Sequence, residues 1–373
     1  MTDRLKVGVV GAGVIAQVMH LNYLRELSDR FEIVALCDIS AENAANNAER
    51  YNIGTTFTDW REMLDDADID AVFILTSGSH APIAIAAANA GKHVLVEKPM
   101  CFSVAEGKAM VDAAAKSGVT MMVAYNKRYD PAYQRLLEEA RTLRDLRLAT
   151  ITTLESPAEP YVKHYNLHRG APMAPDVAEG FASDNSARIT AAIGEADPLS
   201  RWAYHLVLLD SLVHEFNAMR GVLGEPDRLD FADIRETGLT AIFTYGQTQC
   251  VLTWVDLPGI ARYQMEFAFY SPDRRLTLSF PSPFLRSAPT ILGSEGGTPP
   301  SSRSWRSEEI TSFEESFKQE LIHFHECATT GRTPTTSAAD SIHDIALCEA
   351  VVHVHRSRTP RDHPSEPALT VAR

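Results

Sequence analysis

Five apolar runs in the first third of the chain, KVGVVG, EIVALCD, AVFILT, HVLVEKP and TMMVAYN, are continuous and not alternating. Strands covered on both faces read this way. Helical stretches lie between them: VIAQVMHLNYLREL, AENAANNAERY, APIAIAAANAG and SVAEGKAMVDAAAKSG. Repeated strand–helix units of this length predict an α/β fold with a doubly wound parallel sheet. The pattern changes near Asn126. A helix (PAYQRLLEEARTL) and a strand (LRLATITTLES) follow, then a polar, Pro-rich stretch over 157–200 with short helices expected. A long helix over 201–224, RWAYHLVLLDSLVHEFNAMRGVLG, stops at Gly-Glu-Pro. From Asp227 to Phe280 the text switches to strands with short loops, so a second, largely antiparallel sheet is expected. Residues 293–308 read as a Gly/Pro/Ser-rich loop. Two closing helices and a frayed tail, 358–373, complete the chain.

The first strand runs into Gly11-Ala12-Gly13-Val14-Ile15-Ala16, a GxGxxA that opens a helix. Gly11 permits the tight turn, Gly13 lets the backbone approach a pyrophosphate, and Ala16 allows close packing of helix on strand. Asp38 ends the second strand, where a carboxylate accepts from both adenosine-ribose hydroxyls and repels a 2′-phosphate. Ile39-Ser40 offers no arginine for such a phosphate, so NAD is expected in preference to NADP. Thr76, Ser77, Gly78 and His80 lie at the carboxyl end of the AVFILT strand, at the edge where open sheets bind ligands. Ser79 reads equally well as a polar turn with an N-cap.

Composition excludes several classes. With 373 residues there is room for two domains. With a net charge of -14 and no basic block along the chain, nucleic-acid binding is disfavoured, and an acidic surface does little to attract anionic membranes. No apolar run reaches the roughly 20 residues of a membrane span, and no secretory leader is seen. Five scattered cysteines without CxxC spacing fit reduced thiols and a cytoplasmic setting. His164 and His168 have metal spacing but lack a third ligand, so no metal is expected. His323, His325, His353 and His355 point to different helix faces and read as interface or surface residues.

Asp210 and His214 sit four apart within LVLLDSLVHEFN. On a helix they share a face. Alone they read as a buried structural Asp–His pair or as a proton acceptor with its orienting carboxylate. Lys163, His164, Arg169, Arg201 and His205 crowd the preceding segment, forming either a pocket for hydroxyls and anionic groups or a solvated polar loop.

Taken in order, GAGVIAQ, the Thr76–His80 stretch, Glu97-Lys98-Pro99 and Asp210xxxHis214 resemble the glucose–fructose oxidoreductase and inositol dehydrogenase (Gfo/Idh/MocA) family. The resemblance runs from Lys6 to about Ser357. It implies a Rossmann domain over 1–127 and a C-terminal α/β domain over 128–336. The latter carries an open, largely antiparallel sheet that often serves as oligomer interface, so a homo-oligomer is expected. The helix over 337–357 is expected to pack back on the first domain. The resemblance further implies that Glu97, Lys98 and Asn126 lie near the nicotinamide, that Lys98 and Asp210 assist catalysis, and that His214 is the general base. The glycine of the family's DxGxH is Leu212 here, and the trailing acid of the longer motif is Asn217. The implied activity is hydride transfer between NAD and a carbinol carbon of a sugar, cyclitol or glycoside. The alternative is a redox-neutral, NAD-dependent glycosidase, for which the extended 157–205 segment has room.

Overall fold

The computed structural model describes residues 4–297, Pro300 and 303–358. Its first sheet has six parallel strands: β1 (Leu5–Val10), β2 (Phe31–Cys37), β3 (Thr55–Phe57), β4 (Ala71–Ile74), β5 (His93–Glu97) and β6 (Met121–Ala124). They are joined by α1 (Leu21–Glu26), α2 (Ala41–Tyr51), α3 (Trp60–Asp66), α4 (Ala81–Asn89) and α5 (Val104–Ser117). The order β3-β2-β1-β4-β5-β6 puts a switch point between β1 and β4, where a ligand crevice opens at the carboxyl ends. Strand residues alternate between two apolar clusters. Val7, Val9, Phe73 and Leu95 belong to one, and Val10, Val72, Ile74 and Val96 to the other. Both faces are thus covered, which is why the strands read as unbroken apolar runs. Ser40 and Ser103 cap α2 and α5 by accepting from Asn43 N and Glu106 N, each worth about 1 kcal/mol.

The second domain contains α6 (Pro131–Ala140), β7 (Leu148–Glu155), α7 (Glu159–Val162), α8 (Pro175–Ile193), α9 (Pro198–Trp202) and α10 (Val213–Leu223). Strands β8 (Arg228–Arg235), β9 (Gly238–Tyr245), β10 (Thr248–Asp256), β11 (Gln264–Tyr270), β12 (Arg274–Phe280), β13 (Ile291–Gly297) and β14 (Ser304–Ile310) follow. Helices α11 (Ser316–Thr330) and α12 (Ala338–Ser357) close the chain. The eight-stranded order is β14-β13-β12-β11-β7-β10-β9-β8, antiparallel throughout except for β7 against β10. Cys250, Leu252 and Trp254 of β10 face the core, while Val251, Thr253 and Val255 between them are only partly covered. Phe317, Leu321 and Phe324 of α11 join an apolar cluster of the first sheet, and α12 wedges between α5 and β8. The two domains therefore share buried apolar surface. Of the tail expected over 358–373, all but Arg358 lies outside the described residues.

Four expectations need correction. Residues 293–308 are not a loop but largely the β13–β14 hairpin. The Thr277 hydroxyl and the Trp305 ring occupy the space where side chains of Gly293 and Gly296 would be, so glycine here serves packing across strands. The stretch 157–200 contains, in α8, a helix of 19 residues where only short ones were expected. The helix over 201–224 is not uniformly α: Ala203–Leu212 is π-helical. Lys98 Nζ bonds the Asp210 carbonyl within this wound-out stretch, a kind of local helix defect common at functional sites. Lastly, His325 is buried edge-on against Phe31, not at the surface.

Candidate active site

At the end of β1, Gly11 adopts a φ of +97°, and a Cβ there would lie 2.8 Å from the Leu75 carbonyl. Only glycine fits. Nothing lies within 4 Å of a Cβ placed on Gly13, so the turn opens onto free space. Ala16 is fully buried beneath it. Asp38 accepts from Ala12 N at 2.8 Å, Asn43 Nδ2 at 3.0 Å and Ser40 N at 2.9 Å. A carboxylate offers about four acceptor sites. Asp38 therefore has room for one ribose hydroxyl, not the pair expected from sequence. Ile39 beside it is exposed.

A cavity of about 830 Å³ runs from this turn to the second domain. Gly13, Val14 and Ile15 line one end, and Thr76, Ser77, Gly78 and His80 the β4 side. Glu97, Lys98, Asn126, Arg169, His205, Asp210 and His214 complete the sequence-expected residues on its walls. His80 bridges two loops, with Nδ1 2.7 Å from Pro99 O and Nε2 2.8 Å from Thr76 O. The Lys98–Pro99 peptide is cis. Glu97 is buried and accepts from His20 Nε2 at 2.8 Å and Lys98 N at 3.0 Å. Burial raises its carboxyl pKa, but the His20 bond and the Lys98 charge prevail and hold it below the ordinary value. Asn126 Nδ2 donates to Ser316 Oγ at 2.8 Å.

Lys98 Nζ donates to the Asp210 carbonyl at 2.6 Å and to its carboxylate at 3.0 Å. Burial acts to lower the Lys98 pKa, yet Asp210 and Glu97 outweigh it and keep the ammonium charged. The expected Asp210–His214 pair is thus absent: the acid is drawn to a full cation, a stronger partner than a neutral imidazole. His214 packs edge-on against Tyr125, and its Nδ1 is buried without a partner. Burial, then the charges of Lys127 and Lys98, depress its pKa well below the usual value, so the ring is neutral.

An adjoining cavity of about 310 Å³ shares Lys98, Asp210 and His214 and adds Lys127, Glu155, Trp254 and Tyr263. Trp254 meets Trp202 edge to face at 6.3 Å. Lys127 is buried, and desolvation lowers its pKa to about 8. Glu215 behind it is raised by burial to about 7 and accepts from Thr153 Oγ1 at 2.6 Å. Lys127, Glu155 and Tyr263 were missed from sequence. The only available signal was a lysine directly after Asn126 at a strand end.

Three expected substrate residues lie elsewhere. Lys163 and His164 are exposed and do not line either cavity. Arg201 is spent on α8, donating to Thr190 Oγ1 at 2.8 Å and Ser186 O at 2.9 Å. Asn217 has a clear structural task. Its Nδ2 donates to Asp344 at 2.7 Å and its Oδ1 accepts from Arg128 at 3.2 Å. A second carboxylate there would face Asp344. Leu212, at the motif's glycine position, is fully buried in the core.

Residues 5–125 match the model of the family described as "Oxidoreductase family, NAD-binding Rossmann fold". Over nearly its whole length the chain aligns with scyllo-inositol 2-dehydrogenase (NAD(+)) of Bacillus subtilis, 24% identical over 96% of each. The chain is thus similar to the Gfo/Idh/MocA oxidoreductases, most clearly over its first 125 residues. Inositol 2-dehydrogenase of Salmonella paratyphi B is 36% identical over 35% of this chain and 40% of that enzyme. The match thus spans about two fifths of such a curated relative. The aldose–aldose oxidoreductase of Caulobacter crescentus, solved with glycerol, shares the fold, with a TM-score of 0.72 at 20% identity over 95% of this chain and 98% of the other. The first domain is an NAD(P)-binding Rossmann fold. The open turn at Gly13, the positive φ of Gly11 and the carboxylate at Asp38 fit such a dinucleotide. Among the described residues, no helix is long and apolar enough to cross a membrane.

Proposed function

We propose that this protein is an NAD-dependent dehydrogenase of a sugar, cyclitol or glycoside hydroxyl. The observation that carries the reading is that Lys98, Asp210 and His214 line both cavities, one leading to the glycine turn and the other to Trp254. Gly13, Val14, Ile15, Asp38, Glu97 and Asn126 would hold the dinucleotide, which supplies a hydride acceptor when bound. His214 is neutral, and with Nδ1 buried we assign Nε2 as acceptor of the hydroxyl proton. The Lys98 ammonium stabilises negative charge on the same oxygen, and Asp210 fixes that ammonium in place. Trp254 offers a ring face to the C–H face of a polyol, while Lys127 and Glu155 can bond its hydroxyls. Similarity to inositol dehydrogenases supports a cyclitol or sugar. Asp38 favours NAD over NADP.

The test is a panel of sugars, inositols and glycosides with NAD and NADP, following NADH or NADPH absorbance together with aglycone release. Stoichiometric NADH supports the dehydrogenase. Aglycone release with catalytic NAD and no accumulating NADH would instead establish the redox-neutral glycosidase. No turnover and no dinucleotide binding would overturn the reading.

A further inference from the structure

Open α/β sheets leave the carboxyl-edge crevice accessible to solvent. Here residues 163–174, between α7 and α8, cross that crevice as a strap. Gln17, one residue past the GxGxxA, grips it from below: Nε2 donates to His168 O and Oε1 accepts from His168 N, both at 2.8 Å. Arg50 of α2 donates to Asn166 O at 2.6 Å. Gly170 lies against Ser40 and Asn43 so closely that a Cβ would collide with the Ser40 side chain. The other margin is tied to the second domain, where Tyr165 Oη donates to Phe284 O at 2.6 Å. Past the strap, Phe181 of α8 covers Gly78, and Arg188 pairs with Glu106, which also accepts from Ser79 at 3.2 Å. The three loops that form the crevice, after β1, β2 and β4, are each touched by this one stretch of the second domain.

Two of its side chains line the cavity with groups to spare. Arg169 shares the wall with Gly13, Val14 and Ile15, and among the described residues its guanidinium has no hydrogen-bond or ion-pair partner. The turn itself, from Gly11 to Ala16, carries no basic residue. Asn185 is 8% exposed, lines the same cavity, and its Oδ1 is buried without a partner. An uncompensated buried amide oxygen is costly and is normally satisfied by some donor.

We infer that the strap and α8 form the second half of the dinucleotide site: Arg169 binds the bridging phosphates, Asn185 accepts from a hydroxyl or amide of the same ligand, and the strap must lift before that ligand leaves. This rests on the proposed dinucleotide function and gives Arg169 a role other than the substrate contact expected from sequence. A guanidinium matches phosphate oxygens in geometry and charge. The Asp38 carboxylate beside Ser40 places negative charge where a 2′-phosphate would sit, which directs Arg169 to the phosphates common to both dinucleotides.

The experiment uses the full chain without substrate. NAD and NADP affinities are measured by calorimetry, and release rates by stopped-flow displacement of NADH fluorescence, for wild type, Arg169→Ala and Tyr165→Phe. Loss of a charged hydrogen bond predicts NAD and NADP affinities both weakened about ten- to a hundredfold in Arg169→Ala. Unbound melting temperature should not change, since Arg169 is exposed. Tyr165→Phe, which keeps the ring and removes only the hydroxyl bonded to Phe284 O, should release NADH roughly two- to tenfold faster, as expected for one neutral hydrogen bond. Unchanged affinity in Arg169→Ala overturns the inference, as does a loss confined to NADP. A wild type that binds neither nucleotide overturns the functional reading itself, and this one with it.

Discussion

Lys98 Nζ holds Asp210 by two oxygens at once, the carbonyl at 2.6 Å and the carboxylate at 3.0 Å. The bond joins the end of β5 to the π-helical stretch of the other domain, so the ammonium is positioned by both. Asp210→Asn should keep the carbonyl contact but lose the charge that counters desolvation of Lys98. Its kcat is expected to fall about tenfold or more, and Lys98→Met by about 10²–10³, the range for removing one stabilising donor. Dinucleotide affinity, measured separately, should change little in Asp210→Asn. Full kcat in that variant would sink the argument that Asp210 positions Lys98.

His214 should set the acid side of the pH profile. A base acts when deprotonated, and burial with Lys127 and Lys98 nearby lowers its pKa. Activity should therefore be flat through neutral pH and decline only at pH values below the ordinary histidine range of about 6.5. His214→Gln should lose about 10²–10⁴ in kcat and lose that limb. An unperturbed limb near the ordinary value in wild type would contradict the assignment.

Glu215 should make the fold less stable as pH rises. Its carboxyl titrates at about 7 in the fold against 4.5 ordinarily, so the folded state holds the proton more tightly. The associated stability is fully present below the unfolded value and is lost as pH climbs to about 7, a change of up to about 3 kcal/mol. Lys127, depressed to about 8, titrates above that window. Glu215→Gln keeps an acceptor for Thr153 and removes the ionisation. Urea denaturation at pH 5 and pH 8 should show a smaller loss in the variant, and equal losses would refute the buried-acid account.

Arg220 is the main tie between α10 and α12. Its guanidinium reaches Asp344 at 2.7 Å, Asp340 at 2.9 Å and Glu225 at 2.6 Å, and Asp344 is fully buried. Arg220→Met should cost about 3–5 kcal/mol, because it removes three ion pairs and leaves the buried Asp344 carboxyl, already raised by burial to about 7, without its cation. Adding Asp344→Asn should recover part of that loss, since the two sites are coupled. Additive losses in a denaturation series would show that Asp344 is not the group that loses its partner.

The sequence was most informative where one physical demand governed a residue. Val7, Val9 and Phe73 had to be apolar because both sheet faces are covered, and Gly11 because a Cβ would strike Leu75. Helix α8 was harder to read: Gly180 lies mid-helix, few of its residues are buried, and its face is shared with a ligand cavity. Strand β13 carries Gly293, Gly296 and Gly297, whose propensity argues for a loop; cross-strand pairing overrides it. The spacing of Asp210 and His214 suggested partnership, but spacing cannot reveal a competing cation 112 positions earlier.

The order of strands in the second sheet has a consequence for biosynthesis. Strand β7 is central, yet its partners β10 and β11 begin at Thr248 and Gln264. A ribosome adding about 5–20 residues per second leaves β7 with two bare edges for on the order of ten seconds. Its threonines at 150, 152 and 153 favour extended backbone, so the strand can wait in a conformation ready to pair. Closure of the sheet is therefore a late event in synthesis, and α11 and α12, which reach back to the first domain, are made later still.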